Sequence, residues 1–426
     1  MRRNFLKLLG LAGLGLALPQ ASAATRADEK KEEGYPGPYY VVFNASGGWD
    51  TTYLMDPKGI KEINRLYKEG DILTHGAHKY APNKKDAKGG MCNEDFYAEF
   101  GKEVLTFNGL DYAVNNHSPG ARYMATGKLD SLAYPTFAAL VAACKGSTCP
   151  LAYLTFGNYS ATGNLVAMSR VPYLPSLQKI ANADAVEGNV RAPYHDKFAL
   201  DRIEEALQSH HEATGAAPQL PRAMRGENML YAAQVNSKAL ERVTQYIPKE
   251  NPKERLAQQA EIALASFKAG VCVSANLTIG QFDSHANNDP DQMKLIPEFL
   301  AGIAYVMRRA EALKIREQLV VVVQSEMGRT PNYNSGNGKD HWSIGSALFL
   351  GRGIQGNRVI GATDDKQFAV PLDPKSLAVE KEKGIRIRPE HLHESLRELA
   401  GIADHPLSKK FPLGVKEEEK LKGFWG

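Results

Sequence analysis

Apolar residues in this chain fall into short, pure runs separated by polar, glycine-containing loops. YYVVFNA (39–45) and LVVVVQS (319–325) carry apolar side chains at successive positions, without alternation. A strand reads this way when both faces of its sheet are covered. PLAYLTFG (150–157) and VCVSANLTIG (271–280) have the same character and predict two more strands. Elsewhere apolar residues recur every three or four positions, as on a helix with one buried face. That spacing predicts helices over 57–68, 133–144, 290–315 and 389–402. The middle of the chain, 196–270, is mostly helical in pattern, clearest in FALDRIEEALQ and ALERVTQYI, and reads as an insertion or cap. Residues 75–92, rich in Pro, Gly, Asn and Lys, read as loop. Strand and helix in alternation predict an α/β domain with a mainly parallel sheet flanked by helices. Ligands of such sheets bind beyond the carboxyl ends of the strands.

The first 23 residues stand apart from this pattern. Arg2-Arg3 precede Phe5-Leu6-Lys7, an apolar run from Leu8 to Leu18, and Ala21-Ser22-Ala23. A charged start, an apolar middle and an A-x-A cleavage site make a secretory signal, and the paired arginines resemble a twin-arginine export signal. The expected partner is therefore the twin-arginine export machinery, and the expected location is periplasmic or otherwise exported. The apolar run is shorter than the ~20 residues that span a bilayer, and no later stretch reaches that length. Residues 24–37 read as a linker, 38–406 as the folded domain and 407–426 as a charged tail. The 52 basic and 48 acidic side chains give +4, and losing Arg2, Arg3 and Lys7 with the signal leaves 4 − 3 = +1. That balance gives no case for a nucleic-acid partner. With 426 residues, 43% hydrophobic and 23% charged, disordered, collagen-like and disulfide-dense classes are excluded. Of the four cysteines, Cys144 and Cys149 flank a short loop and form the candidate disulfide, while Cys272 in its apolar run reads as a buried small hydrophobe.

Acids and imidazoles gather where predicted strands end. The first strand leads to Asp50, the next to Asp283 and His285, and the third to Glu326, Arg329, Asp340 and His341. A further loop, NNHSPGARYMATGK, carries His117, Ser118 and Arg122. Carboxylates and imidazoles are natural ligands of zinc and related ions. Several carboxylates brought together repel unless a cation sits among them. Asp50, Asp283, His285, Glu326, Asp340 and His341 are thus the candidate metal ligands. His75 and His78 lie in the polar loop; the remaining histidines read as solvated or structural.

SGGWD, NHSPGARYMATGK, FDSHANN, SEMGRTPNYN and GKDHW, in that order along most of the chain, resemble the bacterial domain-of-unknown-function 1501 family. That family is related to the alkaline phosphatase and sulfatase superfamily. The resemblance implies an α/β/α sandwich, alkaline phosphatase-like, with a metal site at the carboxyl edge of the sheet and a largely helical insertion. It implies Asp283 with His285 as one ligand pair and Asp340-His341 as the source of a late histidine ligand. Glu326 falls where the superfamily has an Asp-His pair, with Met327 in place of the imidazole. Asp50 is the first-strand acid, with Asn44 as its competitor. The superfamily's nucleophile falls near His117, beside Ser118; Ser118, Thr51, a metal-held water or none remain open. Arg329 and Arg122 are the implied transition-state cations, and His117 a ligand or general acid/base. None of the four cysteines sits in a C-x-P-x-R motif, which argues against a formylglycine sulfatase.

The expectation is an exported metal-dependent hydrolase of a phosphate or sulfate ester, on a small-molecule or glycan substrate, using a divalent ion: zinc, manganese or calcium. The alternative is a non-catalytic periplasmic or surface binding protein, or complex subunit, that keeps the fold and a structural ion.

Overall fold

The computed structural model describes residues 34–83, 90–147, 149–171, 185–186, 189–193, 195–216, 220, 223 and 242–426. The expected signal, most of the linker and the start of ALERVTQYI lie outside these residues. The strands are β1 Tyr39–Ala45, β2 Leu73–His75, β3 His78–Tyr80, β4 Leu105–Asp111, β5 Tyr153–Thr155, β6 Met168–Ser169 and β7 Ala185–Val186. They continue with β8 Asn189–Pro193, β9 Ser274–Ile279, β10 Leu319–Ser325, β11 Gly328–Arg329, β12 His341–Trp342, β13 Ile344–Gly351 and β14 Arg358–Ile360. The helices are α1 Asn93–Phe100, α2 His117–Thr126, α3 Phe137–Lys145, α4 Lys197–Ala216, α5 Arg255–Lys268, α6 Asn288–Ala312, α7 Pro389–Leu399 and α8 Pro406–Lys409.

Eight strands form one sheet in the order β14–β4–β13–β10–β1–β9–β5–β6. Neighbours are parallel except where β13 runs against both β10 and β4. The fold is therefore α/β with a mainly parallel sheet, as the sequence pattern requires. Both faces of β1 and β10 are buried, which explains their unbroken apolar runs. Tyr39, Val41 and Phe43 enter a core shared with α5 and α6; Tyr40 and Val42 enter a second core with α3 and α7. Among the described residues no helix is long and apolar enough to cross a membrane.

Two expectations fail for local reasons. Residues 57–68 form no helix: after a turn on the Ile60 carbonyl, the Asn64 side chain caps Leu66 N–H and donates to Thr52 Oγ1. A side chain that bonds nearby backbone competes with helix propagation. Residues 75–92 are not all loop, because β2 and β3 pair as a hairpin. The expected Cys144–Cys149 bridge is not formed either; Cys144 faces Ser408 and Cys149 faces the Gly270 carbonyl.

Strands β1, β4, β9 and β10 share one direction, so their carboxyl ends lie at one edge of the sheet, and the reversed β13 begins there. Two glycines let the loops close up at that edge. Gly47 has φ +113°, and a Cβ there would lie 2.5 Å from the Asp283 nitrogen. Gly48 has φ +91°, and its Cβ would lie 2.7 Å from Met327 Cγ. Gly47→Ala is expected to cost about 1–3 kcal/mol of stability from left-handed strain and overpacking. Denaturant unfolding checks this, and an unchanged midpoint would contradict the close approach of the two loops.

Candidate metal centre

Five chain segments meet at this edge: the loops after β1, β4, β9 and β10, and the segment entering β13. They bring together His117 at the first position of α2, Asp283 and His285 beyond β9, Glu326 beyond β10, and Asp340-His341. Asp283 is the hub. Its Oδ2 lies 3.3 Å from His117 Nε2, and its Oδ1 lies 3.1 Å from His285 Nε2 and 3.3 Å from His341 Nε2. His285 Nε2 and His341 Nε2 are 3.0 Å apart. Ligand atoms of His117, Asp283 and His341 all fall within 4.8 Å of one another.

Each imidazole is held from behind through Nδ1. His117 Nδ1 donates to Glu326 Oε1 at 2.7 Å, His285 Nδ1 to Asp340 Oδ1 at 2.9 Å, and His341 Nδ1 to the Asn115 carbonyl at 2.9 Å. Those acceptors place the proton of a neutral ring on Nδ1 and leave the Nε2 lone pair pointing inward. Three inward lone pairs then face the Asp283 carboxylate, a repulsive arrangement that a cation relieves; His285 stands outside the mutually close group of His117, Asp283 and His341. An imidazole whose other nitrogen donates to a carboxylate or carbonyl is also the usual setting of a metal-bound histidine. The cluster is open to solvent, with side-chain exposures of 38% at His117 and 42% at Asp283.

The roles divide differently from the sequence-based expectation. Glu326 and Asp340 sit behind His117 and His285, as orienting acceptors. Glu326 is buried, and its Oε2 has no hydrogen-bond partner among the described residues. Asp50 stands apart: it is buried, and its Oδ2 pairs with Lys339 Nζ at 2.7 Å. Its Oδ1 accepts from Thr52 N–H and Thr52 Oγ1, and its Oδ2 also accepts from Asn288 Nδ2. Arg329, the expected transition-state cation, is buried and committed to the loops. It donates to the Gly47, Gly48 and Lys339 carbonyls and, at 2.7 Å, to Asp283 Oδ1. Arg122 reaches past the C-terminal end of α2 and donates to the Leu129 carbonyl. Ser118 is exposed at the second position of α2, next to His117, whereas Thr51 is buried. His78 is a core residue between the Gly101 carbonyl and Thr106 Oγ1.

Sequence reasoning missed Lys339 and Asn115. Lys339 stands beside Asp340 in GKDHW and drew no reading, because a buried lysine has no signature of its own. Asn115 acts through its carbonyl, which any residue type supplies.

The family model described as "Protein of unknown function (DUF1501)" matches residues 41–410. No curated protein matches the chain. The chain is similar to the PsFucS1 sulfatase from Pseudoalteromonas sp., at 8% identity and TM-score 0.39, covering 88% of this chain and 69% of that one. It is similar to the lipoteichoic acid synthase LtaP from Listeria monocytogenes, at 7% identity and TM-score 0.37, covering 87% and 73%. It is also similar to alkaline phosphatase from the Antarctic bacterium TAB5, at 10% identity and TM-score 0.36, covering 87% and 99%. Alignments at these scores bear on neither chemistry nor substrate.

The electrostatics of the cluster give a pH signature. Burial pushes the Asp283 carboxyl up, but the Arg329 hydrogen bond and charge, with His117 and His285, outweigh it and hold the group below 3.8. Asp340 is also held below 3.8, first by the His285 hydrogen bond and then by Asn334. A carboxyl depressed in the folded state stabilises the fold above its unfolded pKa, and that contribution is lost as pH falls through the folded pKa. The metal-free protein should therefore lose stability as pH drops below 3.8, the value both groups are shifted from. Unfolding midpoints followed from neutral pH into this acid range should fall less steeply for Asp283→Asn than for wild type. Equal slopes would contradict the pairing.

Proposed function

The chain belongs to the DUF1501 family, and from that premise we propose that it is an exported, metal-dependent hydrolase of phosphate or sulfate esters. The observation that supports this best is the convergence of three anchored imidazoles on Asp283 at a solvent-open sheet edge. His117, Asp283, His285 and His341 would hold the ion. Three nitrogens and one carboxylate suit zinc or manganese better than calcium, which takes oxygen ligands. A divalent ion held there supplies Lewis-acid polarisation of an ester oxygen and activation of water near neutral pH.

The chain's own residues have distinct parts in this reading. Glu326 and Asp340 fix the tautomers and angles of His117 and His285. Arg329 fixes Asp283 and the glycine turn and leaves substrate charge to other groups. Ser118, exposed beside His117, is the hydroxyl placed to attack phosphorus or sulfur, with water as the alternative nucleophile. Small-molecule or glycan esters are the substrate class. The twin-arginine-type leader supports export, and that route accepts a protein already folded around its ion.

Metal analysis of the mature protein tests the centre. Asp283→Ala/His285→Ala should lose the ion, and Glu326→Gln should weaken its binding about 10–100-fold, the usual effect of removing an orienting partner. Metal content equal to wild type in the double variant would remove the assignment. A panel of aryl phosphate monoesters, diesters and sulfates tests the chemistry. Turnover should vanish with the ion; a tightly held ion without turnover of any ester would replace the hydrolase with a binding protein.

A further inference from the structure

Resting on the metal-centre reading above, we infer that the buried Asp50–Lys339 pair is a cation site built from the protein itself. Lys339 keeps Asp50 out of metal binding, so the centre takes one divalent ion, and it positions the segment that aims His341. Three observations carry this.

The first is burial. Both side chains are 0% exposed, with Nζ and Oδ2 2.7 Å apart. A carboxylate removed from water needs a cation beside it, and here an ammonium group meets that need. Lys339 Nζ also lies 5.0 Å from the centre of the Tyr333 ring, whose face favours a positive charge.

The second is the count of lone pairs. An ionised carboxylate offers about four acceptor positions. Thr52 N–H and Thr52 Oγ1 use Asp50 Oδ1 and Asn288 Nδ2 uses Oδ2, while the Lys339 ammonium lies 2.7 Å from Oδ2 as an ion pair without hydrogen-bond geometry. A metal ion beside Oδ2 would meet that like charge. The acid that ends β1 is thus spent on the fold, and the open donors at this edge are the three imidazoles and Asp283.

The third is how Lys339 is tied to the ligand loops. Its N–H donates to the Ser284 carbonyl, between Asp283 and His285. Its carbonyl accepts from Arg329 Nη1, and Arg329 also grips Asp283. Asp340, its neighbour, holds His285, and His341 lies two residues on. Moving Lys339 would therefore shift His341 relative to the other three donors. Lys339 is a positioning residue, with no contact to substrate.

The test is zinc titration and metal counting on the full mature chain. Wild type should bind one equivalent. Asp50→Asn/Lys339→Met, which removes both charges and keeps the bulk, should still bind one equivalent but about 10–100-fold more weakly. Glu261→Gln/Arg309→Met, at the pair between α5 and α6 in which Glu261 is buried and Arg309 half-buried, serves as the control. It should lower the melting temperature and leave zinc affinity unchanged. Lys339→Gln, which leaves the Asp50 carboxylate without its cation, should bind the first equivalent more weakly and admit a second at Asp50; a single equivalent held as in wild type would overturn the inference. Two equivalents in wild type, affinity retained in the Lys339 variants, or an equal loss in the control would each overturn the inference. No zinc bound by wild type would instead overturn the metal centre itself.

Discussion

The site depends on a crowding that elementary electrostatics forbids in isolation. Three imidazole nitrogens stand 3.1–3.3 Å from the oxygens of one carboxylate, and two of those nitrogens stand 3.0 Å from each other. Each ring is pinned by an acceptor on its far side, so the rings cannot turn away to relieve the contact. Glu326, Asp340 and the Asn115 carbonyl set that orientation from three separate chain segments. Such a set of donors is stable when a positive charge sits among them, which is the physical basis for reading it as a metal centre.

The rest of the edge is arranged so that negative charge outside the centre is already neutralised. Arg329 takes one oxygen of Asp283 and braces the Gly47-Gly48 turn. Lys339 takes Asp50. Both residues also act as mechanical ties to other loops, Arg329 through its guanidinium to the Gly47 and Gly48 carbonyls and Lys339 through its main-chain N–H to the Ser284 carbonyl. The fold makes the meeting possible: β1, β4, β9 and β10 all point to this edge, and the reversed β13 returns the chain to it with His341 at its entrance. Glycine at 47 is required because a side chain there would occupy the space of the Asp283 backbone.

Much of this was legible in the amino-acid pattern, and what escaped did so for physical reasons. β1, β9 and β10 declared themselves through runs buried on both faces. β4 and β13 were hidden because LTFNGLD and IGSALFLG interleave Asn, Gly and Ser with their apolar residues. The acids and imidazoles at strand ends pointed to the sheet edge where the fold gathers them, since loops after parallel strands meet there. Their division into inward donors and outward supports was not legible, because residue type does not say which nitrogen of a ring faces in. Asp50 looked like a ligand for the same reason: its partner, Lys339, is nearly three hundred positions away and is recognised as buried only in three dimensions.

X-ray absorption at the metal edge of the zinc-loaded mature protein reads the donor set itself. The expected shell is three imidazole nitrogens at about 2.0–2.1 Å and one carboxylate oxygen at about 2.0–2.2 Å. A shell of oxygens alone, or one containing sulfur, would contradict it.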